Sequence, residues 1–95
     1  MTRAGPLRLT VRNQSGLHAR PAALFVRAAG AFDSGILIRN ATHGRGPVDA
    51  KSILGVLGLG VSRGHEIELE ADGDDASAAL EALARLIADG VGERP

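Results

Sequence analysis

The residues best suited to chemistry in this 95-residue chain lie in one short run, Ser15-Gly16-Leu17-His18-Ala19-Arg20-Pro21-Ala22. A histidine stands just ahead of a helical pattern whose first turn contains a proline. Proline has no amide hydrogen, and a first turn tolerates that loss because its amides have no intrahelical partner. The neighbouring amides, those of Ala19 and Arg20 included, point outward as donors. With the helix dipole they favour an anion at that end. An imidazole nitrogen placed there can accept a phosphoryl group, whose oxygens the helix start then holds. Arg20 adds a guanidinium able to pair with phosphate oxygens or with a partner's carboxylate. Gly16 gives the preceding loop backbone freedom and leaves room for a bulky partner. Each residue also has a plainer role: His18 as a cap or solvated group, Arg20 as a solvated helix residue, Pro21 as a helix starter.

Other chemistry has weaker support. His43 lies in a glycine-rich loop and His65 follows Gly64 at a turn; with no ligand spacing, both read as solvated side chains and not as a metal site. The chain has no cysteine, which excludes disulfides, thiolate metal ligands and a cysteine nucleophile. Residues 72–75, Asp-Gly-Asp-Asp, suit a turn and a helix cap better than a calcium loop. Ser15 has no base at the spacing a hydrolase requires.

The elements that must position His18 follow from periodicity. Leu7, Leu9 and Val11 alternate with Arg8, Thr10 and Arg12, the period-2 pattern of a half-buried strand, and residues 13–16 break it. Ala22, Phe25, Val26 and Ala29 share one face of a helix that Gly30 can close in a left-handed conformation. Ile36 and Ile38 mark a second strand through about Asn40. Residues 41–47 form a loop with Gly44, Gly46 and Pro47 as breakers, before a short extended piece near Val48. A short helix is expected over residues 52–57, with Ser52 able to cap it.

Residues 66–71 alternate as the clearest strand, with Glu66, Glu68 and Glu70 on one face and Ile67, Leu69 and Ala71 on the other. Asp72-Gly73 turns the chain, and Asp74 or Asp75 can cap a last helix lined by Ala76, Leu80, Leu83, Ala84 and Ile87. Glu81 and Arg85 fall at a favourable i, i+4 spacing on its outer side. Gly90 ends it, and residues 91–95 read as a frayed tail. The order β-α-β-β-α-β-α, with one apolar face per strand, predicts an α+β two-layer open-faced sandwich. Its four-stranded antiparallel sheet carries helices on one side and water on the other.

Bulk properties limit the function further. A chain this short builds one core, so residues 1–95 read as a single domain. Eleven basic residues balance 11 acidic ones, which argues against nucleic acid as the main partner. Two Phe and no Trp or Tyr leave no platform for base stacking. No stretch reaches the roughly 20 apolar residues of a membrane span, and residues 1–6 lack an apolar run. The reading is a soluble, cytoplasmic protein without membrane insertion.

The run Gly16-Leu17-His18-Ala19-Arg20-Pro21-Ala22 resembles, without a gap, the active-site motif of the HPr family, the histidine-containing phosphocarriers of the bacterial phosphoenolpyruvate-dependent phosphotransferase system. Lys51-Ser52-Ile53-Leu54-Gly55-Val56-Leu57-Gly58-Leu59-Gly60 resembles the regulatory-serine segment of the same proteins. The element order and the acidic turn at 72–75 also fit. The likeness runs from residue 7 to about residue 89. One departure is the loop at 41–49, which is a few residues longer than the family's hairpin; surface loops absorb such insertions cheaply.

The resemblance implies an HPr-like fold and a carrier that is not itself an enzyme and needs no cofactor or metal. His18 would take the phosphoryl group on Nδ1, with the Ala19 and Arg20 amides and the Arg20 side chain binding it. Enzyme I would be the donor and an EIIA-type protein or domain the acceptor. Ser52 would be a regulatory site for an HPr kinase/phosphorylase. Gly16, Leu17, Arg20, Ile53, Leu54 and Leu57 would meet partners, at least one of the aliphatics facing inward, and the carrier would act as a monomer. A regulatory module controlling transcription factors or enzymes through Ser52 phosphorylation is the alternative, although members of that kind are expected to lack the active histidine. An unrelated acid–base enzyme lacks a second catalytic group near His18, and a plain interaction module ranks last.

Overall fold

A computed structural model describes residues 2–93. The elements are β1 (Arg3–Thr10), α1 (Ala19–Gly30), β2 (Gly35–Asn40), β3 (Arg45–Asp49), α2 (Ile53–Gly58), β4 (Glu66–Asp72) and α3 (Ala76–Ala88). The four strands form one sheet in the order β1-β4-β2-β3, antiparallel at every pairing. This is the expected α+β open-faced sandwich. β4 threads between β1 and β2, so the most regularly alternating strand becomes the centre of the sheet.

One face of the sheet carries the core. Ile36 and Ile38 of β2 and Ile67, Leu69 and Ala71 of β4 are buried, with Phe25 of α1 and Leu80, Leu83 and Ile87 of α3 above them. Around Phe25, branched aliphatics and alanines do the packing. The other face is solvated and charged. Glu68 accepts from Arg8 and from Arg39, each at 2.9 Å, so one carboxylate on the central strand links β1 to β2. Leu37 is the apolar exception there, exposed between Asp49 and Glu70 in the register.

Several boundaries differ from expectation for local reasons. β1 starts at Arg3, four residues before Leu7, and passes Gly5-Pro6 with a register shift between Ala4 and Leu7. An edge strand can hold a proline because its outer amides face no ladder. The same logic applies to β3, the opposite edge, which takes in Gly46 and Pro47 as strand and not as loop. α1 runs through Gly30 and is capped by Ala31 in right-handed geometry, so Gly30 does not close it as a left-handed residue. Gly58 lies within α2, and Gly60, at φ 62°, makes the exit.

Glu81 and Arg85 do not form an ion pair among the described residues. Asp75 occupies the N-cap position of α3 but makes no cap bond. Its carboxylate turns to the 33–34 loop, accepting from the Asp33 and Ser34 amides at 2.9 Å each and from the Ser34 hydroxyl. These donors, the Ser34 hydroxyl foremost, hold Asp75 below the usual carboxylate range. The segment after α3 is not frayed as far as residue 93. Val91 is fully buried, and Glu93 bonds back to the body of the protein. Arg94 and Pro95, the rest of that expected tail, lie outside the described residues.

Candidate functional site

His18 is the N-cap residue of α1, with extended backbone at φ −123° and ψ 161° and no side-chain cap bond. Its side chain is half-buried, whereas Ala19 and Arg20 are exposed. Pro21 is the third residue of the helix and is buried, where its missing amide hydrogen deprives no ladder. Ala19 opens the helix at φ 50°, a left-handed value uncommon outside glycine, with a strain of order 1–3 kcal/mol. Among the described residues, no backbone hydrogen bond outside the helices and strands uses the Ala19 or Arg20 amide. The helix therefore begins with free donors, an exposed guanidinium and a half-exposed imidazole within three consecutive residues. That arrangement suits a tetrahedral anion held from one side and offered to a partner on the other.

The loop before His18 is tied down by backbone hydrogen bonds. The Gly16 amide donates to the Asn13 carbonyl at 3.2 Å, and the Leu17 amide donates to the Val61 carbonyl at 3.0 Å. Gly16 sits at φ 62°, and a Cβ there would run into the Val61 carbonyl. Glycine is required for that approach, so Gly16 serves the loop's packing. Leu17 is 0% exposed and belongs to the core. Neither Gly16 nor Leu17 presents a side chain to a docking protein, which corrects their expected place in the partner surface. Leu17 instead plugs the loop into the core and fixes the backbone from which His18 departs.

Ser52 is the N-cap of α2, its Oγ accepting from the Gly55 amide at 3.1 Å. Beyond it, Ile53, Leu54 and Leu57 are 40%, 78% and 36% exposed. None of the three turns inward; Val56 is the residue of this helix that does. α2 packs against α1, and the chain leaving it reaches Val61, on which the 13–17 loop rests. The α1–α2 layer thus carries both the His18 tip and the exposed apolar patch of α2.

His43 is exposed, as expected, and His65 half-buried, but the two are not isolated from each other. Their Nε2 atoms lie 3.2 Å apart and the rings meet edge to face. His65 Nδ1 accepts from the Ser62 amide at 3.1 Å, and the Asn40 side-chain amide lies 3.3 Å from it. This assigns the His65 proton to Nε2, where it can be donated to His43. The pair ties the 41–44 turn to the 62–65 turn. Among the described residues, no group of three or more His, Cys, Asp or Glu could hold a metal.

One residue near the loop escaped the sequence: Glu93, which bonds Asn13 and Ser15. The only local sign of it is the Gly90-Val91-Gly92 run, a spacing that allows the chain to reverse after α3.

Comparison with known proteins agrees with this geometry. The family model described as the PTS HPr component phosphorylation site matches residues 7–89. The chain is 50% identical over 88 residues to a phosphocarrier protein HPr of Streptomyces coelicolor, covering 93% of this chain and 92% of that protein. It is 44% identical over 84 residues to a multiphosphoryl transfer protein of Haemophilus influenzae, covering 88% of this chain but spanning only 17% of that longer protein. Among solved structures, HPr-C-His from Thermoanaerobacter tengcongensis superposes with a TM-score of 0.88 at 42% identity, with all of both chains covered. The chain belongs to the HPr family, the non-enzymatic phosphocarriers of the phosphotransferase system.

Proposed function

We propose that this protein carries its phosphoryl group on Nδ1 of His18, taking it from phosphorylated enzyme I and passing it to an EIIA-type protein or domain in the cytoplasm. The observation that carries this reading is the placement of His18 as the half-exposed N-cap of α1, beside the exposed Arg20. The Nδ1 lone pair forms the new bond to phosphorus as the bond to the donor breaks. The Ala19 and Arg20 amides and the Arg20 guanidinium receive the phosphoryl oxygens. Transfer between two proteins depends chiefly on positioning and on neutralising those oxygens, which a preformed helix start supplies without rearrangement.

Ile53, Leu54 and Leu57 form the docking patch, with Arg20 as the charged neighbour that steers the partner. The protein acts as a monomer. Ser52 is the regulatory position: a phosphate there would lie at the edge of the patch and add charge where the partner buries aliphatic surface. Its cap bond to Gly55 would also be replaced.

The test is incubation with phosphoenolpyruvate and a bacterial enzyme I, followed by intact mass with and without mild acid. Gain of one acid-labile phosphoryl group, lost in His18→Ala, is the expected result. Equal labelling of His18→Ala would remove His18 from the mechanism.

A further inference from the structure

The loop that leads into His18 is held by a carboxylate from beyond α3. That helix closes in a Schellman turn, with the Gly90 amide donating to the Ile87 carbonyl at 3.1 Å and the Val91 amide donating to Leu86 at 3.0 Å. Gly90, at φ 86°, makes the reversal, the Glu93 amide donates to the Gly90 carbonyl at 2.8 Å, and Val91 is fully buried. The segment is thus anchored by its own turn and by the core. Its anchoring does not rest on the Glu93 side chain alone.

What Glu93 holds is the loop. Its Oε1 accepts from Asn13 Nδ2 at 2.8 Å and from the Ser15 amide at 3.0 Å, and its Oε2 accepts from Ser15 Oγ at 2.7 Å. The remaining Nδ2 hydrogen of Asn13 goes to the Gly16 carbonyl at 2.9 Å. One carboxylate therefore orients Asn13 and Ser15 directly and Gly16 through Asn13. The Asn13 side chain is buried, and its Oδ1 finds no partner, so its orientation follows the two acceptors and not its own oxygen. Among the described residues, no other side chain from outside the loop hydrogen-bonds residues 13–20. The donors on Glu93, the Asn13 amide first and then Ser15, keep its carboxyl below the usual range, so it grips as an anion.

We propose that Glu93 is a positioning residue for phosphoryl transfer, fixing through Asn13 and Ser15 the loop that sets where the His18 imidazole stands. The proposal rests on His18 as the phosphoryl acceptor. His18 makes no cap bond of its own, so the backbone entering it decides the ring's place. Rates of in-line transfer respond steeply to such placement, an ångström of error costing on the order of a hundredfold.

The test measures enzyme I-dependent phosphorylation of the full chain as a function of its concentration, with hydrogen exchange at the Ser15 amide read by NMR. Glu93→Ala is expected to lower kcat on the order of tenfold. KM should stay unchanged because the docking patch is untouched, and the Ser15 amide should exchange faster. Glu93→Gln keeps an acceptor at Oε1 and should recover most of the rate. A wild-type kcat in Glu93→Ala, with wild type itself phosphorylated, overturns the proposal and leaves the His18 reading standing. If Glu93→Ala does not fold, Ser15→Ala, which removes the hydroxyl donor to Oε2, decides: a reduced kcat at unchanged KM supports the proposal and a wild-type kcat overturns it. A wild-type protein that takes up no phosphoryl group removes the His18 reading, and the Glu93 role falls with it.

Discussion

At the scale of single residues, phosphoryl transfer asks for a nucleophile, a charge and a few free donors, all within the reach of one phosphate. His18 and Arg20 meet that demand because one intervening residue, Ala19, turns the chain from extended into helical geometry between them. Arg20 is exposed and has no ion-pair partner among the described residues, so its charge is free to meet an incoming phosphoryl group. Arg20→Ala is therefore expected to slow phosphorylation by about tenfold to a hundredfold while leaving thermal stability unchanged. Rapid-quench phosphorylation beside a melting curve checks both halves, and an unchanged rate would assign the phosphate to the backbone amides alone. Arg20→Lys should restore charge but not the two-pronged geometry, giving an intermediate rate.

Elements divide the labour between holding and presenting. α1 buries Pro21, Ala22, Phe25 and Ala29 and thereby fixes its own N-terminus. α2, only six residues long, buries Val56 and spends its remaining apolar side chains outward. A helix this short owes its stability to its cap and its packing, not to its own ladder. Leu54, at 78% exposure, contributes little to the core but most to the apolar patch. Leu54→Asp should thus leave the melting temperature within about 2–4 °C, as surface changes of under roughly 0.5 kcal/mol do. The same change should raise KM for enzyme I severalfold without altering the maximal transfer rate. A KM equal to wild type would place the docking surface elsewhere.

Across the whole molecule, carboxylates join elements distant in sequence. Glu68 links β1 and β2, Asp75 holds the 33–34 loop, and Glu93 holds the 13–16 loop. Each lies below the usual carboxylate range: Glu68 through Arg8 first, Asp75 through the Ser34 hydroxyl, and Glu93 through the Asn13 amide. Their unfolded counterparts titrate near pH 4, so the unfolded chain takes up protons before the folded one does as pH falls. The stability they contribute is present in full above that range and is lost as pH drops through it and through the lower folded values. Calorimetric midpoints should accordingly be level from about pH 7 to pH 5.5 and decline below that. The decline should be shallower in the Asp75→Asn, Glu93→Gln double variant, and an identical slope would show that neither contact couples protons to folding.

Much of this was legible in the residues themselves. Period-2 and period-3.6 patterns depend only on near neighbours, so the strands at residues 7–11, 36–40 and 66–71 and the long helices could be read before any pairing was known. The same holds for the His18–Arg20–Pro21 motif and the Ser52 cap, whose geometry closes within four residues. Edge position could not be read, and it is edge position that admits Pro6 and Pro47 into strands. Burial of a motif residue was equally hidden: Leu17 looks like a surface residue next to His18 until the Val61 segment folds under it. Nor could any local pattern pair His43 with His65, turn Asp75 away from its helix, or bring Glu93 to Asn13 and Ser15, 80 and 78 residues earlier. Those contacts join segments far apart along the chain, and only the closing of the sheet and the docking of α3 set their distances. The proposed nucleophile and the charge beside it belong to the sequence; the place where that histidine is held belongs to the tertiary structure.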